Sequence, residues 1–292
     1  MRGFGLYHRS VCAKLYERAC RLLKAGQGVM LVTLILNEIH LLDGLSKSML
    51  IAAADRRITV PGASPRVRRK VFRIPHLHAT VSYFGVAQVT SGHGQEWMSS
   101  WLPNFIVAQS AVPDLETFGQ TLREHLQRVI RPEVLESNPS GFHLCGYNED
   151  LLPEFWHFAN IGRIERLYYR AFKATYGPLS PDFLGRDAAI CFGWDGCDPR
   201  SARNGVRAYR NGDLRAHVAL WEDLDRSLLK KLFRFPGFHP PQTPSDAGKY
   251  VKFKFELLSY VYKHWADQVI VSRPIDVYVT HNIGGEIETV DV

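Results

Sequence analysis

Runs of apolar residues change their spacing along this chain, and the changes divide it into elements. Leu31 to Ile39 is rich in Leu, Val, Thr and Ile, which reads as a strand. Asp43-Gly44 follows as a turn signal, because that pair tolerates positive φ. Met49 to Asp55 predicts a second strand, whose small Ala52-Ala53-Ala54 run points to close packing on a neighbour. Pro61-Gly62 marks a loop, and Lys70 to Ile74 and Ala79 to Val86 predict two more strands. The period then lengthens. Trp97, Trp101, Leu102, Phe105 and Ile106 recur at helical spacing, as do Leu115, Phe118, Leu122, Leu126 and Val129 behind Pro113-Asp114. Pro132 is expected to close this helical part.

Strand patterns return at Gly141 to Tyr147 and at Phe155 to Ile161. Residues 163–248 read as an irregular insertion. It holds the proline-broken stretch Tyr176 to Phe183, and a hairpin is expected at Asn211-Gly212, between 207–210 and 214–217. A helix through Leu220 to Phe233 completes the insertion. A long helix is expected from Asp246 to Trp265, then a closing hairpin, Pro274 to Val279 with Glu286 to Val290, around Gly284-Gly285. The order lacks βαβ alternation and a Gly-rich phosphate loop, which argues against a dinucleotide-binding sheet. It predicts an α+β chain in which two antiparallel sheets lie between helical layers.

Composition narrows the class. With 46% hydrophobic and 22% charged residues over 292 positions, the chain is ordinary for a globular protein. No run approaches the ~20 apolar residues of a membrane-spanning helix, so no membrane partner is expected. Residues 1–29 carry six Lys or Arg and only Glu17, a net +5 that leaves +2 of the total +7 for the rest. A nucleic-acid partner is therefore not expected, since a phosphate-binding face should run across the folded body. This basic leader fits three readings: sequence upstream of a start at Met30, an organelle-targeting segment, or a cationic surface helix. Five scattered cysteines, an odd number, fit reduced thiols in a cytoplasmic protein better than a disulfide framework.

Three segments, taken in order, carry a resemblance. The first is Ile51-Ala52-Ala53-Ala54-Asp55-Arg56-Arg57-Ile58-Thr59 with Lys70-Val71-Phe72-Arg73-Ile74 fifteen residues after Asp55. The second is the strand pair from Gly141 to Ile161, and the third is Pro274 to Val279 with Gly284-Gly285-Glu286-Ile287. Together they resemble proteasome subunits and their relatives, of the N-terminal-nucleophile (Ntn) hydrolase fold. The resemblance implies a four-layer αββα sandwich spanning residues 30–292, with 163–248 inserted. It also implies hydrolysis of a peptide or amide substrate by an N-terminal threonine, and assembly into a homo-oligomer. Matched by motif, Thr33 stands at the nucleophile position, Lys70 at the lysine that lowers its pKa, and Asp55 at the aspartate that positions the lysine. The amine of a terminal threonine titrates near neutrality and can act as general base. Thr33 to Asp55 spans twenty-two residues, longer than in the family, and the excess is expected in a hairpin at 43–48.

Plainer readings stand beside these. Thr33 reads equally as a β-branched strand residue without chemistry, and Asp55 with Lys70 as a structural ion pair. A non-catalytic assembly subunit or a binding scaffold would keep the same motifs. His76 and His78 lie two apart, a ligand spacing on a strand, but Pro75 points to a loop. No metal and no cofactor is expected.

Overall fold

Alternation of buried side chains builds the two sheets, and each strand serves two different surroundings. The computed structural model describes residues 34–42, 47–59, 64–92, 94–161, 172–184, 205–212, 214–229 and 231–292. One five-stranded antiparallel sheet has the order β12 (Gly205–Gly212), β1 (Leu34–Leu41), β2 (Ser48–Asp55), β13 (Ile275–His281), β14 (Glu288–Asp291). The other has β11 (Ser180–Leu184), β10 (Pro153–Ala159), β9 (Gly141–Tyr147), β6 (Ala79–Phe84), β5 (Val71–Ile74). Two short ribbons accompany them: β3 (Arg57–Ile58) with β4 (Arg66–Val67), and β7 (Gln88–Ser91) with β8 (Gly94–Trp97). The helices are α1 (Met98–Ala108), α2 (Leu115–Val129), α3 (Pro132–Ser137), α4 (Leu214–Leu228) and α5 (Pro244–Trp265). The chain is α+β, with all of its sheet pairings antiparallel among the described residues.

In β1 and β2, Leu34, Leu36, Met49, Ile51 and Ala53 pack with Val251, Phe255 and Leu258 of α5. Their neighbours Ile35, Ala52 and Ala54 pack instead with Val71 and Phe84 of the second sheet. On that sheet, Val81, Tyr83, Phe142 and Leu144 meet Leu102 and Phe105 of α1 and Phe118, Leu122 and Leu126 of α2. A two-residue side-chain period on sheets covered on both sides accounts for strands such as β2 that are buried at every position.

Buried polar contacts fix how the sheets face one another. Asn37 of β1 donates to Ser82 Oγ at 3.3 Å and lies 3.1 Å from His143 Nδ1. Tyr147 donates to the Ser48 carbonyl at 2.8 Å, and the Ser48 amide to Asn282 Oδ1. Tyr209 of β12 stacks on Phe155 of β10, ring centroids 3.8 Å apart. At the end of β6, Gly85 adopts φ +84°, and a Cβ there would fall 1.6 Å from the Pro139 carbonyl oxygen. Only glycine fits such a position.

Two expected elements differ. Pro132 starts α3 rather than ending the helical part, since proline at the first helical position loses no hydrogen bond. Residues 205–212 form one strand along β1, and 214–228 form a helix, so the hairpin expected at Asn211-Gly212 is absent. The β1 edge supplies the partner that a return strand would have supplied. The described parts of 163–248 thus give each sheet an edge strand, β11 and β12.

Candidate active site

The end of β2 and the start of β5 meet at a buried ion pair. Asp55 is the last residue of β2, and β13 aligns Ile275 opposite it. Lys70 immediately precedes β5, whose pairing with β6 fixes where that end lies. The side chains meet with Lys70 Nζ 3.0 Å from Asp55 Oδ1, and they are 2% and 0% exposed. Two backbone amides also donate to the carboxylate: Leu34 to Oδ1 at 3.2 Å and Arg57 to Oδ2 at 3.0 Å. A buried carboxylate needs such donors, because an uncompensated charge in the interior is costly.

The first residue of β1 is therefore tied to the pair. Thr33, the expected nucleophile, lies outside the described residues, as do 43–46 of the expected hairpin. Its neighbour Leu34 holds the start of β1 against Asp55. Of the three sequence-predicted site residues, Asp55 and Lys70 are in contact.

Burial lowers the Lys70 pKa from the ordinary lysine value; the Asp55 carboxylate opposes this, and the Arg57 charge adds to it. A lysine ammonium in water binds its proton tightly, whereas one desolvated in this way releases it more readily. Around the pair, Arg56 is clamped by Asp276, with Nε 3.0 and 2.9 Å from the two carboxylate oxygens. Arg69 lies 3.8 Å from the same carboxylate.

A second buried pair was not anticipated from the sequence. Lys254 of α5 meets Glu38 of β1 at 2.8 Å, lies 3.5 Å from Asp225 of α4, and sits over the Trp221 ring. Glu38 also takes His40 Nε2 at 2.8 Å. Burial raises the Glu38 pKa, but Lys254 and His40 together more than offset it and hold the carboxyl well below the usual range. The available signal was Lys254 itself, a charged residue on the helical stripe of Val251 and Leu258. The pair fastens α5 to the helix-facing side of β1 and is separate from Asp55 and Lys70.

Other reactive groups are muted. Burial pushes the Cys145 thiol up, away from the reactive thiolate. Burial pushes the His143 pKa down to about 3, so the ring is neutral. His76 lies within the 3₁₀ turn Pro75–Leu77 and His78 ends it, left-handed at φ 45°. Among the described residues no group of three or more His, Cys, Asp or Glu side chains is placed to hold a metal. No described helix is long and apolar enough to cross a membrane. Compared with known proteins, the chain matches no protein-family model and no curated protein.

Proposed function

We propose that this chain is a proteasome-like Ntn-fold protein that hydrolyses peptide or amide bonds with Thr33 as its N-terminal nucleophile. The observation that carries the reading is the fully buried Asp55–Lys70 pair, whose carboxylate also holds the amide of the residue after Thr33. Burying two charges recovers little net stability, and this pair differs from the equally buried Glu38–Lys254 pair in holding the amide next to Thr33. Two antiparallel sheets that share apolar clusters, with helices on their other faces, support the αββα layering of that fold.

In this reading, cleavage after Val32 frees the Thr33 amine. The amine takes the hydroxyl proton as Oγ attacks the substrate carbonyl carbon, and Lys70 stabilises the developing negative charge on Oγ. The C–N bond breaks, the leaving amine takes the proton, and an ester joins the acyl group to Oγ. Water then attacks the ester, releases the acid and restores the threonine. Asp55 keeps Lys70 oriented and is not consumed.

The test is turnover of fluorogenic peptide amides by purified protein, compared with Thr33→Ala and Lys70→Ala. Both variants are expected to lose at least a hundredfold in kcat, since each removes a group that acts at the reacting bond. Unchanged turnover in Thr33→Ala, or none in the wild type, would favour a non-catalytic subunit that uses the fold for assembly.

A further inference from the structure

The chain leaves the ion pair at Asp55 and returns to it at Lys70, so both feet of the β3–β4 ribbon stand on the candidate site. From Asp55 to Ile74 there are six arginines and one lysine against one aspartate. Most of these cations are already engaged. Asp276 clamps Arg56 and faces Arg69, the Arg68 guanidinium lies 5.1 Å from the centre of the Trp97 ring, and Arg73 faces Asp291 at the far end of β5.

Arg57 differs from them. Its backbone amide is held by Asp55 Oδ2, which anchors the residue beside the pair. Its side chain is half-buried, and the buried Nε has no hydrogen-bond partner. It forms no ion pair among the described residues. Among the described residues Asp55 is seen in hydrogen-bond contact with Lys70, and Arg57 places a second positive charge beside them. A partly desolvated guanidinium whose Nε is buried without a partner is a costly arrangement, and an anion held at the accessible end of the same group offsets part of that cost.

We propose that Arg57 is a specificity residue that receives an anionic group of the substrate, so that acidic peptides are preferred, with the carboxylate next to the scissile amide. The proposal rests on the hydrolase reading above. The planar fork of arginine matches a carboxylate in two hydrogen bonds, and its charge does not titrate near neutrality. Arg66 pairs opposite Ile58 and so lies on the other face of the ribbon from Arg57. It adds charge that attracts an anion from a distance without touching it.

The experiment compares kcat/KM for three N-acyl tetrapeptide amides that differ only in Glu, Ala or Lys before the scissile bond. The Glu peptide is expected to exceed the Ala peptide by about tenfold, as one charge-assisted contact gives. Arg57→Gln should bring that ratio within twofold of one. Arg57→Lys, which keeps the charge but loses the fork, should retain about threefold, and Arg66→Gln should lose less than threefold. A preference for Ala or Lys, a ratio unmoved by Arg57→Gln, or an equal loss in Arg66→Gln would overturn the assignment.

If none of the three peptides is cleaved, the hydrolase reading fails, and binding decides the anion site separately. Fluorescence anisotropy with a labelled triglutamate peptide and a labelled trilysine peptide is then the readout. Saturable triglutamate binding that Arg57→Gln weakens about tenfold supports the site. Equal binding of the two peptides, or no binding, overturns it.

Discussion

Replacing Asp55 by Asn removes one charge and keeps the shape, which isolates what the carboxylate does. Asp55 is fully buried and accepts from Lys70 and from the amides of Leu34 and Arg57. Asparagine oxygen can keep one of those donors, but its NH₂ group turns toward another. Lys70 then remains buried with the Asp55 charge gone; Asp276, which Arg56 already engages, opposes its charge at longer range. Breaking a buried pair in this way costs about 3–5 kcal/mol. An independent limit comes from the lysine. It escapes the penalty by losing its proton, and from an ordinary pKa of about 10.4 to pH 7 that costs roughly 4.6 kcal/mol. The two figures agree, so a loss of about 4 kcal/mol is expected, a large share of the 5–15 kcal/mol that holds a typical domain.

The sign of the pH dependence separates this cause from simple loss of packing. In Asp55→Asn the folded-state pKa of Lys70 falls further below the unfolded value. Between those two values the unfolded chain binds more protons, so stability rises with pH, by up to about 1.4 kcal/mol per unit. The deficit of the variant should therefore be largest at pH 7 and shrink toward pH 10. Urea denaturation followed by tryptophan fluorescence at pH 7, 8 and 9 measures it. Adding Lys70→Met to Asp55→Asn should restore at least half of the loss, because no buried charge is then left alone. A loss below about 1 kcal/mol with no pH trend, or a double variant no better than the single one, would refute the reasoning.

Two further predictions concern groups away from this pair. Glu38→Gln should cost about 2–4 kcal/mol, less than the full cost of a broken buried pair because Asp225 still faces Lys254. The Glu38 pKa is depressed, so its contribution is complete above about pH 4.5 and fades as pH falls below that; the variant's urea midpoint should approach that of the wild type in acid. His143 is held neutral, with a folded pKa of about 3 against 6.5. Between those values the unfolded chain binds the extra proton, so stability falls as pH is lowered from about 6.5, by about 1.4 kcal/mol per unit for one proton. The slope of urea midpoints between pH 6.5 and 5 should be shallower in His143→Phe; an unchanged slope would count against the ring as its source.

The sequence carried some of these features openly and hid others. The strands at Met49 to Asp55 and Gly141 to Tyr147 were readable from their short apolar runs between polar and turn-forming residues, and both occur with nearly those bounds. The second helix was readable from its 3.6-residue stripe and from Asp114, which caps it by accepting from the Thr117 amide at 2.7 Å. What failed was local chemistry with two meanings. Asn211-Gly212 signals a turn, yet the strand before it is claimed by β1, more than 160 residues earlier. Proline ends a helix or begins one, and Pro132 begins one. Contacts across long separations were also out of reach. Glu38 and Lys254 lie 216 residues apart, and no local pattern joins them. The Asp55–Lys70 contact was legible because a family pattern paired those positions, fifteen residues apart.

The most direct test of the proposed chemistry is the intact mass and N-terminal sequence of the purified protein. A chain that begins at Thr33, with the mass of residues 33–292, is the predicted result, since the nucleophile's free amine must then exist. A chain that begins at Met1 or Met30 would leave Thr33 locked in a peptide bond and contradict the hydrolase reading.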